Sequence, residues 1–180
     1  MHDSILHMES ERNFLPKPEK PPILYHASQT ADIDRLIPRS IKRRERDDGP
    51  MIFATPSETI ASAFLFPWDD SWIQMGTIED EPYMIISDEA RFRQLDTGGY
   101  IYSLPSQNFE TDMEKGLRTL EYTSNEAVVP VGKEFFPSAL DAMIHFGMKV
   151  YFVDSDTFIA IQNAPDHGKE IISKLTEVTR

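Results

Sequence analysis

Two prolines, Pro21 and Pro22, stand before Ile23-Leu24-Tyr25, and that apolar run stops abruptly at His26-Ala27-Ser28. A short apolar run bounded by prolines and small polar residues reads as a buried strand. It fixes where the folded domain begins. It also holds His26 where packed sheet gives way to loop, a rigid place for a functional side chain. The plain alternative is a strand-end histidine bonded to a nearby carbonyl.

The apolar runs that follow are equally short, and loops rather than long regular helices separate them. Strands are expected at residues 51–54, 72–77, 83–86, 100–104, 127–131 and 148–153. Helices are expected at 55–65, 87–92, 137–146 and 166–178, the first opened by Thr55 as N-cap with Pro56 and Glu58 behind it, the third closed by Gly147. Trp68 and Trp72 lie in a segment read as an exposed loop. Many short strands with a few short helices make an α+β fold. Residues 1–22 read as a polar, Pro-rich N-terminal arm and residues 23–180 as a single domain.

Composition narrows the function. The 180 residues carry a formal net charge of -12, and a body this acidic repels nucleic-acid phosphates. A small anion in a locally basic pocket remains compatible with it. The basic residues concentrate in one run that includes Arg39, Arg43 and Arg44; the alternative for that run is a solvated loop. The absence of cysteine removes disulfides, thiolate catalysis and cysteine-based zinc sites. With no apolar run of membrane-spanning length and no signal-peptide pattern, the expected location is cytoplasmic, with unconventional secretion a second route.

The chemistry-bearing residue of the third stretch is Glu126, in Ser124-Asn125-Glu126-Ala127-Val128-Val129. A carboxylate at the mouth of an apolar strand is costly to bury without a partner or a task. The alternative is an exposed strand-start glutamate. His145, inside an apolar helical stretch, reads as structural, and His2, His7 and His167 have no spacing typical of a metal site.

Three stretches in this order resemble the ADP-ribosyltransferase superfamily, closest to the class of diphtheria-type toxins and poly-ADP-ribose polymerases. They are Tyr25-His26-Ala27-Ser28, then Ile52-Phe53-Ala54-Thr55 running to Ala61-Ser62-Ala63-Phe64, then Asn125-Glu126-Ala127-Val128-Val129. The likeness covers roughly residues 23–131. It implies an ADP-ribosyltransferase-like fold of split antiparallel β-sheets flanked by short helices, with the strands at Ile23 and Ala127 near its centre. It also implies NAD as co-substrate and transfer of ADP-ribose to a protein or small-molecule acceptor, with release of nicotinamide. By the same resemblance His26 bonds the adenine-side ribose, and the backbone of Ala27, beside Ser28, holds the nicotinamide amide. Phe64 or Phe53 stacks on the nicotinamide ring. Glu126 binds the nicotinamide ribose and stabilises the charge formed as the glycosidic bond breaks. Arg39, Arg43 and Arg44 would serve the pyrophosphate.

The chain departs from the family pattern at three positions. Ala27 replaces the usual glycine, phenylalanine stands in place of tyrosine, and Ser124 is neither Glu nor Gln, which disfavours an arginine acceptor. Three other readings keep the fold: an NAD glycohydrolase, an RNA 2′-phosphotransferase-like enzyme, and an inactive nucleotide- or protein-binding module.

Overall fold

The computed structural model describes residues 19–40, 49–113 and 118–179. Among them are eight strands and five short helices. In order these are β1 (Ile23–Ser28), β2 (Ile52–Ala54), α1 (Glu58–Ser62), β3 (Ile73–Ile78), β4 (Glu81–Ile86), α2 (Glu89–Leu95) and β5 (Gly99–Pro105). After a 3-10 turn at Arg118–Leu120 come β6 (Tyr122–Ser124), β7 (Gly132–Phe136), α3 (Ala139–His145), β8 (Lys149–Phe152), α4 (Ser155–Asn163) and α5 (Lys169–Ile172). The fold is mixed α+β.

The strands form three small sheets, ordered β1-β5-β7, β2-β6 and β3-β4-β8. All pairings are antiparallel except β4 with β8, which is parallel. The expected all-antiparallel arrangement is corrected there: β8 returns from α3 to lie beside β4, a non-local pairing that no turn signal announces. β1 lies at the end of its sheet order rather than at the centre.

Strand alternation sorts the apolar side chains into three clusters. Leu24, Tyr102 and Leu104 face one cluster with Ile52, Ala54, Phe109 and Tyr122. Tyr25, Ala27, Ile101 and Phe136 face another, shared with α1, α3 and one side of β4 and β8. Tyr83, Ile85 and Tyr151, on the other side of β4 and β8, pack with Phe158 and Ile161 of α4 and Ile172 of α5. Each larger sheet is therefore a wall with packing on both faces.

One carboxylate ties the elements behind this wall. Asp96, after α2, accepts from Gly98 N–H (3.2 Å), Ser138 Oγ (2.8 Å), Ala139 N–H (2.5 Å) and Leu140 N–H (3.2 Å). It satisfies two of the unpaired donors that every helix start leaves. Gly98, at φ +66, lets the chain turn against β7: a Cβ there would stand 2.2 Å from the Phe136 carbonyl oxygen.

Several local expectations are corrected. The N-cap of α1 is Ser57, whose hydroxyl accepts from Ile60 N–H at 3.2 Å, and not Thr55. Thr55 is drawn into a two-bond bridge with Tyr25 instead (2.7 and 2.9 Å). Residues 127–131 form no strand: Val128 makes an isolated bridge with Leu36, and Pro130 has no N–H to continue a ladder. Trp72 is buried, with the Arg91 guanidinium 4.4 Å over its ring. The terminal helix shortens to α5, and α4 and β7 were not anticipated.

Candidate functional site

β1 and β2 meet at the Tyr25–Thr55 bridge and then separate, since β2 pairs onward with β6 while β1 pairs with β5. The side chain of His26 stands in this divergence. Its Nδ1 lies 2.7 Å from the Phe53 carbonyl oxygen. Because a carbonyl only accepts, Nδ1 carries the proton and Nε2 of the neutral ring is an acceptor. Burial lowers the His26 pKa below the ordinary imidazole value; the hydrogen bond to Phe53 opposes this, and the nearby Arg39 guanidinium lowers it further. The ring is thus fixed in tautomer and orientation. The carbonyl bond matches the plain alternative for this histidine, and it also presents a single acceptor nitrogen.

Arg39 is held at the start of β2, its backbone N–H and C=O exchanging bonds with Met51, both at 3.1 Å. Arg43 and Arg44 lie outside the described residues. Ser28 Oγ accepts from Thr30 N–H at 3.1 Å, shaping the turn that leaves β1. Ala27 turns its side chain to the α1 side of the sheet and packs against that cluster. Phe53 is half-buried opposite Thr123 of β6.

Glu126 follows β6 by two residues and is exposed. Its backbone is pinned by the Ser124 hydroxyl, which accepts from Glu126 N–H (3.1 Å) and donates to Glu126 C=O (3.2 Å). Its carboxylate is pinned by Asn108, whose Nδ2 donates to Oε2 at 2.7 Å. Asn108 precedes the buried Phe109, and that turn is clamped by Lys20, whose Nζ donates to the carbonyls of Gln107 (3.2 Å) and Phe109 (2.9 Å). Asn108 and Lys20 were missed from sequence: an Asn-to-Glu contact across 18 positions leaves no local pattern.

His26 and Glu126 border the same apolar cluster. His26 shares a strand face with Leu24 and stands opposite Tyr102, while Glu126 lies between β6 and Val128, which packs on that cluster. The Phe64 ring is engaged by a neighbour in sequence. It sits just beyond α1, exposed, stacked on Trp68 with centroids 5.4 Å apart. No hydrogen bond or ring contact joins it to His26 or Glu126 among the described residues.

No helix among the described residues is long and apolar enough to cross a membrane, and no group of His, Asp and Glu among them is arranged to hold a metal ion. Comparison with protein-family models, with curated proteins and with solved structures gives no match for this chain.

Proposed function

We propose that this chain is an NAD-dependent ADP-ribosyltransferase, in which Glu126 acts on the ribosyl–nicotinamide bond and His26 receives a ribose hydroxyl. The observation that carries the reading is the pair of anchors: Nδ1 of His26 held by Phe53, and Glu126 held at both backbone and carboxylate. A neutral imidazole with one free acceptor nitrogen suits a hydroxyl donor. A preorientated carboxylate favours the positive charge that develops on the ribose as the bonding pair leaves with nicotinamide. Arg39, beside His26, would meet the pyrophosphate. The acceptor is a protein or small molecule, consistent with the acidic body.

A second reading, an inactive module that binds a nucleotide or a protein, is favoured by two observations. The Phe64 ring already has a stacking partner in Trp68, and the Ala27 side chain is committed to the core.

Nicotinamide release from NAD by wild type and Glu126→Gln, measured beside NAD affinity, tests both. The variant keeps size and a hydrogen-bonding group and removes charge. Its turnover should fall on the order of 100-fold, about 3 kcal/mol, with affinity little changed. Equal turnover in the two proteins would remove Glu126 from catalysis. NAD binding without turnover in either would establish the inactive module.

A further inference from the structure

Among the described residues no strand pairs with the outer edge of β3. Ser87 N–H donates to the Trp72 carbonyl at 3.0 Å, which sets the phase of the β3–β4 ladder. Alternation then turns the peptide groups of Gln74, Gly76 and Ile78 toward β4, and those of Ile73, Met75 and Thr77 outward. The Ile73 N–H is taken by the Asp69 carbonyl at 3.2 Å. The N–H and C=O groups of Met75 and Thr77 meet no backbone partner among the described residues.

A cleft of about 400 Å³ runs beside this edge, with Gln74, Gly76 and Tyr83 on the strand side and Ile161, Gln162 and His167 on the helix side. The Tyr83 ring lies across Gly76: a Cβ on the glycine would stand 2.8 Å from the Tyr83 oxygen. Gln74 Nε2 donates to that oxygen at 3.1 Å, so the floor of the cleft is fixed. On the far wall His167 is held at φ +58, between Ala164, whose carbonyl takes its N–H, and Gly168, whose N–H is taken by Asp166.

The charges select what can lie here. β3 reads Ile-Gln-Met-Gly-Thr-Ile and carries none, although 27% of the chain is charged. Both its ends are acidic: Asp69 and Asp70 before it, Glu79, Asp80 and Glu81 after it. Asp69 lies 3.9 Å from Arg91, and Glu81 pairs with Lys149. Asp70, Glu79 and Asp80 have no ion-pair partner among the described residues. A second β3 placed along this edge, in either direction, sets acid against acid, which is how natural edges discourage self-pairing. A strand with basic ends meets no such penalty at the ends of β3; the lysine that lines the cleft, Lys169, stands on its helix side with Asp166.

We propose that β3 binds an extended peptide as an added strand, the peptide being uncharged and β-forming at its centre and basic at both ends. Its backbone pairs with Met75 and Thr77, and one large side chain enters the cleft over Tyr83. This site is separate from His26 and Glu126, and it stands whether or not the chain acts on NAD.

The probe is a fluorescent synthetic peptide, Lys-Arg-Val-Thr-Phe-Thr-Val-Lys-Arg, read by anisotropy. The expected result is saturable binding to the wild-type chain, at least about tenfold tighter than for the same peptide with Glu in place of every Lys and Arg, and weakening as salt rises. Thr77→Pro removes an outward N–H where an edge strand tolerates proline, and should abolish binding with the melting temperature retained. A peptide N-methylated at alternate residues makes the same test on the unaltered protein and should not bind. Failure of the basic peptide to bind, or equal binding of its N-methylated form, would overturn the proposal. A concentration-dependent wild-type dimer that Thr77→Pro makes monomeric would overturn it in favour of a second copy.

Discussion

Asn108 and Glu126 are joined side chain to side chain at 2.7 Å, 18 positions apart in the chain. The bond fixes which way the carboxylate points. Asn108→Ala should lower nicotinamide release about tenfold, roughly the 1.4 kcal/mol expected of a hydrogen bond to a charged group, with kcat affected more than KM. Because both residues are exposed, the melting temperature should barely move. Asn108→Asp keeps the size and sets like charges together, so its rate should fall below that of the alanine variant. Equal rates in all three proteins would leave the bond without a role in turnover.

His26 makes stability depend on pH in one direction. Its folded-state pKa lies below the unfolded value near 6.5, chiefly through burial. Between the two values the unfolded chain binds the extra proton. The stabilising contribution is therefore complete above about 6.5 and is lost as pH falls toward the folded value, at up to about 1.4 kcal/mol per pH unit. Urea unfolding of wild type and His26→Gln from pH 7.5 to 5 should show the difference between them shrinking toward acid. A difference that is constant with pH would contradict a neutral ring held partly out of water.

Asp96 supports the start of α3 and the turn before β5 together. Asp96→Ala leaves four donors to find water, and should cost about 2–3 kcal/mol in chemical denaturation. Asp96→Asn keeps some of the acceptor capacity and should lose less. A loss under about 0.5 kcal/mol would mean the backbone closes the helix end without it.

Two glycines with positive φ should respond very differently to alanine. Gly147, at φ +85, has nothing within 4 Å of an added Cβ, so the cost is the left-handed backbone alone, about 1–2 kcal/mol. Gly98 adds a 2.2 Å collision with backbone, and Gly98→Ala should cost about 4 kcal/mol or more or fail to fold. Similar melting temperatures for the two variants would show that the Phe136 turn yields.

What the sequence discloses follows how local each signal is. β1, β2 and β5 have short apolar runs with punctuation at their ends, and all three form. Gly147 sits at the end of α3 as its position suggests. β7 escapes because Gly132-Lys133-Glu134-Phe135 is exposed and owes its existence to pairing with β5. Thr55 and Ser57 are equally good caps in isolation; the choice is made by Tyr25, which takes Thr55 for a bridge. In the candidate site, His26 and Glu126 stand out as polar residues beside apolar runs, while their anchors, the Phe53 carbonyl and the Asn108 amide, carry no signature in the sequence.

β1 meets β2 and the residue that follows it in three ways: the two-bond bridge of Tyr25 with Thr55, the His26–Phe53 bond, and Leu24 packed with Ile52 and Ala54. The seam between the β1 sheet and the β2–β6 ribbon is thus fastened by both polar and apolar contacts. The His26–Phe53 bond, 2.7 Å long, is the fastening at the histidine, and it sets that ring against the ribbon that carries the chain on to Glu126.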